Sequence, residues 1–251
     1  MTTKSPVTDV LWLDLNAGFR RLNRALLHRL AMRHQVAHWA YEQTPDEPCS
    51  LEVCVTLLHD YIKQRDRPLH LIGHSTGGLV GLLYARQYPE RITSLTLLSV
   101  GVNPAIDWKA HYYAQLRQMH CSRTRLLAQI VYALFGQPPR HLLSHWATVL
   151  EQDLIQSFSL HSLTQTLSLI PSGVPVPLLV CGGSEDAIVD PAQIQGWQPW
   201  LKPGDRVWLC PEGRHFFHDT HAEAVADEVL SFWQMASWDC KLPYAAVGLL
   251  P

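Results

Sequence analysis

No apolar run in the chain approaches the roughly 20 residues that a membrane span needs. The stretch MTTKSPVTDV has no apolar core behind a basic stub, so a soluble, cytoplasmic protein without a membrane span is expected. Charge is scarce as well: 17% of the 251 residues are charged and the formal net charge is -2. That balance offers a polyanion no basic face and excludes nucleic acid as a partner. The six cysteines, at 49, 54, 121, 181, 210 and 240, form no Cys-x-x-Cys pair, and no histidine stands at zinc-finger spacing. A metal site and a disulfide framework are both disfavoured, and the cysteines read as buried or idle thiols. Internal repeats and low-complexity tracts are missing too, so one large domain with an insertion is the simplest organisation for this length.

What the chain does contain is a series of short, almost wholly apolar runs. Val10 to Leu15 (VLWLDL), Gln35 to Tyr41, Leu69 to Ile72, Ser94 to Val100 (SLTLLSV), Val176 to Cys181 and Arg206 to Cys210 all have strand length. Runs without polar alternation fit strands covered on both faces, the condition of a parallel sheet between helices. Helical patterns separate them at Leu22 to Met32, Leu51 to Lys63 and Leu79 to Gln87, the last stopped by Tyr88-Pro89. Two further helix starts carry capping sequences, Asp190-Pro191-Ala192-Gln193 and Thr220-His221-Ala222-Glu223. The class is α/β, with about six parallel strands.

Between about 103 and 175 the alternation breaks. Helical patterns at 111–120, 124–136, 141–158 and 162–170 follow one another with no convincing strand, and Pro171 to Pro177 returns the chain to the sheet. We read 1–102 and 176–251 as the core and 103–175 as an inserted helical cap. The tail after Trp238 is an appendage without chemistry.

Gly73-His74-Ser75-Thr76-Gly77 follows a strand and opens a helix. In that context G-x-S-x-G is a strained turn that lifts the serine Oγ clear of the sheet edge, with the glycines keeping Cβ atoms out of a crowded approach. The amide of Thr76 then faces a developing oxyanion with the helix dipole behind it. A serine hydroxyl also needs a base, and the base an orienting acid. Candidates stand after two later strands, in Gly182-Gly183-Ser184-Glu185-Asp186-Ala187-Ile188-Val189-Asp190 and in Gly213-Arg214-His215-Phe216-Phe217-His218. Glu185 and Asp190 compete with Asp186, though Asp190 already serves as a helix cap. His218 and His221 compete with His215, but a surface or capping role suffices for both, and His74 packs under the turn.

Together these stretches resemble the α/β-hydrolase superfamily, from Val10 to about Trp233. GHSTGG is similar to its nucleophile elbow, GGSEDAIVD to its acid loop, and GRHFFHDTHAEAVADEVLSFW to the stretch bearing its catalytic histidine and last helix. The resemblance implies an α/β-hydrolase fold, Ser75 as nucleophile, Asp186 as acid, His215 as general base, and a cap in the insertion. It implies acyl transfer from a small-molecule substrate with no metal or organic cofactor. Where most members carry His-Gly after the first strand, this chain has Asp14-Leu15. Asn16 then takes the place of the second oxyanion donor, and Asp14 requires Arg20 or Arg21 to neutralise it.

Substrate choice falls to the cap, which offers Ile106, Trp108, Tyr112, Tyr113, Leu126, Leu127, Ile130, Tyr132, Leu134, Phe135 and Trp146. A serine hydrolase of esterase or thioesterase type, acting on a small or medium apolar ester or thioester, is the leading expectation. The alternatives are a C-C bond hydrolase or lyase-like relative, for example of menaquinone synthesis, and a non-catalytic ligand-binding protein of the same fold.

Overall fold

The computed structural model describes residues 9–42, 50–104, 121–156 and 169–239. Outside them lie Cys49, Cys240, Ile106, Trp108, Tyr112, Tyr113, the expected helix over 111–120, nearly all of that over 162–170, and the segment after 239. Among the described residues six strands and eight α-helices alternate.

Strand β1 (Val10–Asp14) leads through a 3-10 turn (Ala17–Asn23) into α1 (Arg24–Ala31), followed by β2 (Val36–Ala40) and α2 (Leu51–Ile62). Next come β3 (Leu69–His74), α3 (Thr76–Gln87) and β4 (Ile92–Leu98). Helices α4 (Arg123–Phe135) and α5 (Arg140–Gln156) occupy the interval before β5 (Leu178–Gly183). The chain closes with α6 (Pro191–Gln195), β6 (Arg206–Cys210), α7 (Phe217–Thr220) and α8 (Ala222–Asp239). All five strand pairings are parallel, in the order β2-β1-β3-β4-β5-β6.

The apolar runs are strands because both faces are covered. Successive side chains point to opposite faces, and the core divides accordingly. Leu11, Leu13, Leu71, Leu95, Leu97 and Val180 belong to one cluster with Cys54 and Leu58 of α2 and Leu79 and Leu82 of α3. Val10, Trp12, Ile72, Leu98, Leu179 and Cys181 belong to the other, with Leu26 and Leu30 of α1 and Val229 and Phe232 of α8. Strands β1, β3 and β5 are buried throughout, whereas the outer strands β2 and β6 each bury one residue, Trp39 and Cys210. Cys54, Cys181 and Cys210 are buried and Cys121 is half-buried.

Element ends depart from expectation for physical reasons. The ladder of β3 runs on through Gly73 and His74, paired with Leu97 and Leu98, and that of β5 through Gly182 and Gly183. Helix α3 starts three residues before Leu79, and the first expected helix is split into a 3-10 turn and a shorter α-helix. At Asp190 the side chain accepts from Ala192 N at 2.8 Å, but Gln193 Oε1 is buried with no partner among the described residues, so the glutamine does not reach back to the Asp190 amide. The capping box at Thr220 does not form in the expected way either. Thr220 closes its own short helix, and its hydroxyl meets His221 Nδ1 at 2.9 Å.

Candidate active site

Strand order reverses around β1: the chain passes from β1 outward to β2, then returns to β3 on the other side. In an open parallel sheet the crevice at such a switch, beyond the carboxyl ends of the strands, is where ligands bind. Asn16 follows β1 and Ser75 follows β3, so these two residues stand at the crevice by topology alone.

Ser75 has φ 51 and ψ -118, a left-handed conformation that a residue with a Cβ rarely adopts. It is held there from both sides. Its N–H donates to Leu98 O at 2.8 Å, and its carbonyl accepts from Leu79 N at 2.9 Å to start α3. The turn is tight enough that a Cβ on Gly73 would lie 2.5 Å from the main chain of Gly77, and one on Gly77 would collide with the Leu13 carbonyl. Glycine is therefore required at both positions by close backbone approach. Thr76 is the first residue of α3, so its amide is among the unpaired donors at the helix start.

Asp186 and His215 meet. Nδ1 of His215 lies 3.0 Å from Oδ2 of Asp186, and both side chains are buried. The other carboxylate oxygen, Oδ1, accepts from the amides of Ile188 at 2.8 Å and Val189 at 3.0 Å. Burial works against charge on Asp186, but His215 and the two amides outweigh it and hold the carboxyl below the usual range. The rival acids are engaged elsewhere, Asp190 as the cap of α6 and Glu185 in an exposed ion pair with Arg214 at 3.0 Å. Ser75 adjoins this pair through its neighbour: the His74 ring lies 4.7 Å from that of His215, and His74 Nε2 donates to His215 O at 2.9 Å.

One sequence-level reading needs revision, and one residue of the site carries no reading at all. His218 was expected to have a surface or capping role, yet it is fully buried, because α7 turns it inward against His74 and Trp12. Its Nε2 donates to Asn23 Oδ1 at 3.0 Å, Nδ1 has no partner among the described residues, and burial together with His215 pushes its pKa down to about 3. His74 is also kept neutral, its pKa well below the ordinary value through burial and the neighbouring imidazoles of His218 and His215. Ser99 was missed altogether: this buried residue after β4 has φ 51 and places Oγ 3.0 Å from Asp186 Oδ2. The only signal for it in the sequence is its position at the carboxyl end of the strand beside β3.

On the β1 side Asp14 is buried, and Arg20 Nε meets its Oδ2 at 2.7 Å while Arg20 also reaches Glu42 at 3.1 Å. Arg21 instead lies over the Trp146 ring, 4.0 Å from its centroid. Asn16 directs its Nδ2 toward Asp153 of α5 at 3.4 Å, so its side chain is turned toward that helix. A small recess, about 10 Å³ or room for one water, is lined by the end of β1 from Trp12 to Asn16 together with Phe19, Asn23, His74 and Phe216. Phe135 of α4 packs against Phe19 and Phe216, and Trp146 of α5 against Phe19. The Phe135 and Phe216 rings stack at 5.3 Å, and those of Phe135 and Trp146 at 4.5 Å.

Comparison with known proteins identifies the fold and the family. The model of the alpha/beta hydrolase family matches residues 11–228. An uncharacterized protein of Synechocystis sp. is 46% identical over 91% of this chain and 91% of its own length. Among solved structures, a serine hydrolase involved in carbazole degradation aligns with a TM-score of 0.67 at 19% identity, covering 92% of this chain and 93% of that one. A thermophilic esterase aligns with a TM-score of 0.70 at 15% identity, covering 93% and 92%. At such identities the two structures testify to the fold.

Proposed function

The chain belongs to the alpha/beta hydrolase family, and on that premise we propose that it is a serine hydrolase cleaving a small or medium apolar ester or thioester. One observation carries the reading: a buried His215–Asp186 contact of 3.0 Å at the sheet edge where Ser75 sits on a left-handed strand-to-helix turn.

In the proposed reaction Ser75 Oγ attacks the acyl carbon and passes its proton to Nε2 of His215. The ring is kept in the right tautomer by donating Nδ1–H to Asp186. The oxyanion is held by the main-chain amides of Thr76 and Asn16, with the dipole of α3 behind the first. His215 then protonates the departing alcohol or thiol. It next takes a proton from water as the water oxygen attacks the acyl carbon, and returns that proton to Ser75 Oγ as the carboxylic acid is released. Asp14 does not oppose the oxyanion in this scheme, because Arg20 pairs with it at 2.7 Å.

Residues 103–175 act as the lid of a core formed by 1–102 and 176–251. The position of α4 and α5, between β4 and β5 and against Phe19 and Phe216, supports this division. Phe135 and Trp146 give the acyl side an aromatic wall, which favours an apolar substrate.

The test is covalent labelling with a fluorophosphonate probe. Labelling of the wild type that is lost in Ser75→Ala and His215→Ala is the expected result. Folded wild-type protein that takes up no label would overturn the proposal. Turnover of p-nitrophenyl esters of graded acyl length then reports the depth of the pocket.

A further inference from the structure

Strand β4 supplies none of the three reacting groups, yet its end touches the segments of all of them. Leu98 O accepts from Ser75 N at 2.8 Å, and Ser99 N donates to Cys181 O at 2.9 Å, extending the β4–β5 ladder toward the Asp186 loop. The Ser99 hydroxyl stands 3.0 Å from Asp186 Oδ2 and 3.2 Å from His215 O. Ser99 reaches that point only by adopting φ 51, a conformation that glycine would take without strain. A non-glycine residue held there by its surroundings is a mark of a functional constraint.

A hydroxyl has one proton and two acceptors lie near it. His215 O is already served by His74 Nε2 at 2.9 Å. The ionised carboxylate is the stronger acceptor, and a hydrogen bond to it is about twice as strong as a neutral one. The Ser99 proton therefore goes to Asp186 Oδ2. The carboxylate is then fixed by four donors, two on each oxygen: the Ile188 and Val189 amides on Oδ1, His215 and Ser99 on Oδ2.

We propose that Ser99 is a positioning residue, whose hydroxyl fixes the plane and the charge of the Asp186 carboxylate and through it the orientation of His215. This rests on the hydrolase reading above. Loss of the donor leaves Oδ2 with His215 alone. The carboxylate becomes more basic and freer to rotate, and the pair holds its proton to higher pH.

The experiment compares Ser99→Ala, which keeps a Cβ on the strained backbone, with Ser99→Gly, which removes both hydroxyl and strain. With p-nitrophenyl acetate, both variants are expected to lose about tenfold or more in kcat while KM stays within about twofold. The acid limb of the kcat/KM profile should rise by about half a pH unit or more. If Ser99→Ala fails to fold, Ser99→Gly carries the same test. A wild-type acid limb and turnover in Ser99→Gly, with or without a change in stability, would reduce Ser99 to packing. Failure of the inference is separable from failure of the proposed function. Wild-type protein that takes no fluorophosphonate label sinks both, whereas a labelled wild type with Ser99 variants that label at its rate and keep its pH profile sinks this inference alone.

Discussion

His74 donates from Nε2 to the main-chain carbonyl of His215 across 2.9 Å, so the residue before Ser75 grips the segment that bears the imidazole. The arrangement requires a proton on Nε2 of His74, and because burial and the imidazoles of His218 and His215 keep the ring neutral, that is the only ring proton it carries. Replacement by phenylalanine keeps the ring and removes the donor. We expect His74→Phe to lower kcat on p-nitrophenyl acetate about tenfold, because a hydrogen bond fixing a reacting group is lost. Steady-state kinetics at a folded fraction verified by near-UV circular dichroism check this, and unchanged kcat would refute it.

His218 is expected to matter for stability and little for chemistry. It is buried, with Nε2 donating to Asn23 Oδ1 at 3.0 Å. His218→Ala leaves a cavity and an unpaired Asn23 carbonyl, a loss of about 2 to 4 kcal/mol. Urea unfolding measures it. The rate of fluorophosphonate labelling per folded molecule should stay near that of the wild type. A large fall in that rate without loss of stability would move the base from residue 215 to residue 218.

Arg20 neutralises Asp14 at the edge of the recess beside Asn16. In Arg20→Leu the buried carboxylate loses its counter-charge and faces the place where negative charge develops, so turnover should fall about tenfold. Arg20→Lys restores a positive charge without the fork geometry and should recover part of it. Equal activity of all three proteins would remove Asp14 from the electrostatics of the site.

Acid should destabilise the fold before it protonates most carboxylates. His70, His74 and His218 are buried and neutral. His70 is pushed to about 4 by burial and the neighbouring His34, and His218 to about 3. Their unfolded-state values lie near 6.5, so below that pH the unfolded chain binds protons that the folded one refuses. Stability therefore rises with pH between about 4 and 6.5. The slope is about 1.4 kcal/mol per pH unit for each such histidine. Urea midpoints across that range measure it, and a His70→Gln variant should show a shallower slope.

Much of the sheet is legible in the sequence because its strands are covered on both faces and so read as unbroken apolar runs. Arg206–Cys210 has the expected bounds, while β3 and β5 continue beyond them. The continuations are Gly73-His74 and Gly182-Gly183, where glycine looks like a turn signal. Here it marks strand ends against which another backbone comes close: a Cβ on Gly183 would run into the Gly213 carbonyl. The encounter of Asp186 with His215 is legible through the family resemblance, which singles them out from Glu185, Asp190, His218 and His221 after the same two strands. The burial of His218 could not, because a four-residue helix decides which way it faces. Ser99 lies deeper still, since a single serine after an apolar strand carries no sign of a positive φ or of the carboxylate it will meet.

The supports of the two halves of the machinery come from different places. Asp186 and His215 are braced by residues of the sheet ends, Ser99, His74, Ile188 and Val189, none of them in the inserted helices. Asn16, by contrast, leans on Asp153, and the turn after it carries Phe19 and Arg21 onto Trp146. Under the proposed mechanism, exchanging α4 and α5 for the corresponding helices of a relative is expected to leave the Asp186–His215 contact intact while loosening the support of Asn16. If α4 and α5 set substrate choice as proposed, the segment from Asn16 to Asn23 has to travel with them in any graft, because it packs on Asp153 and Trp146.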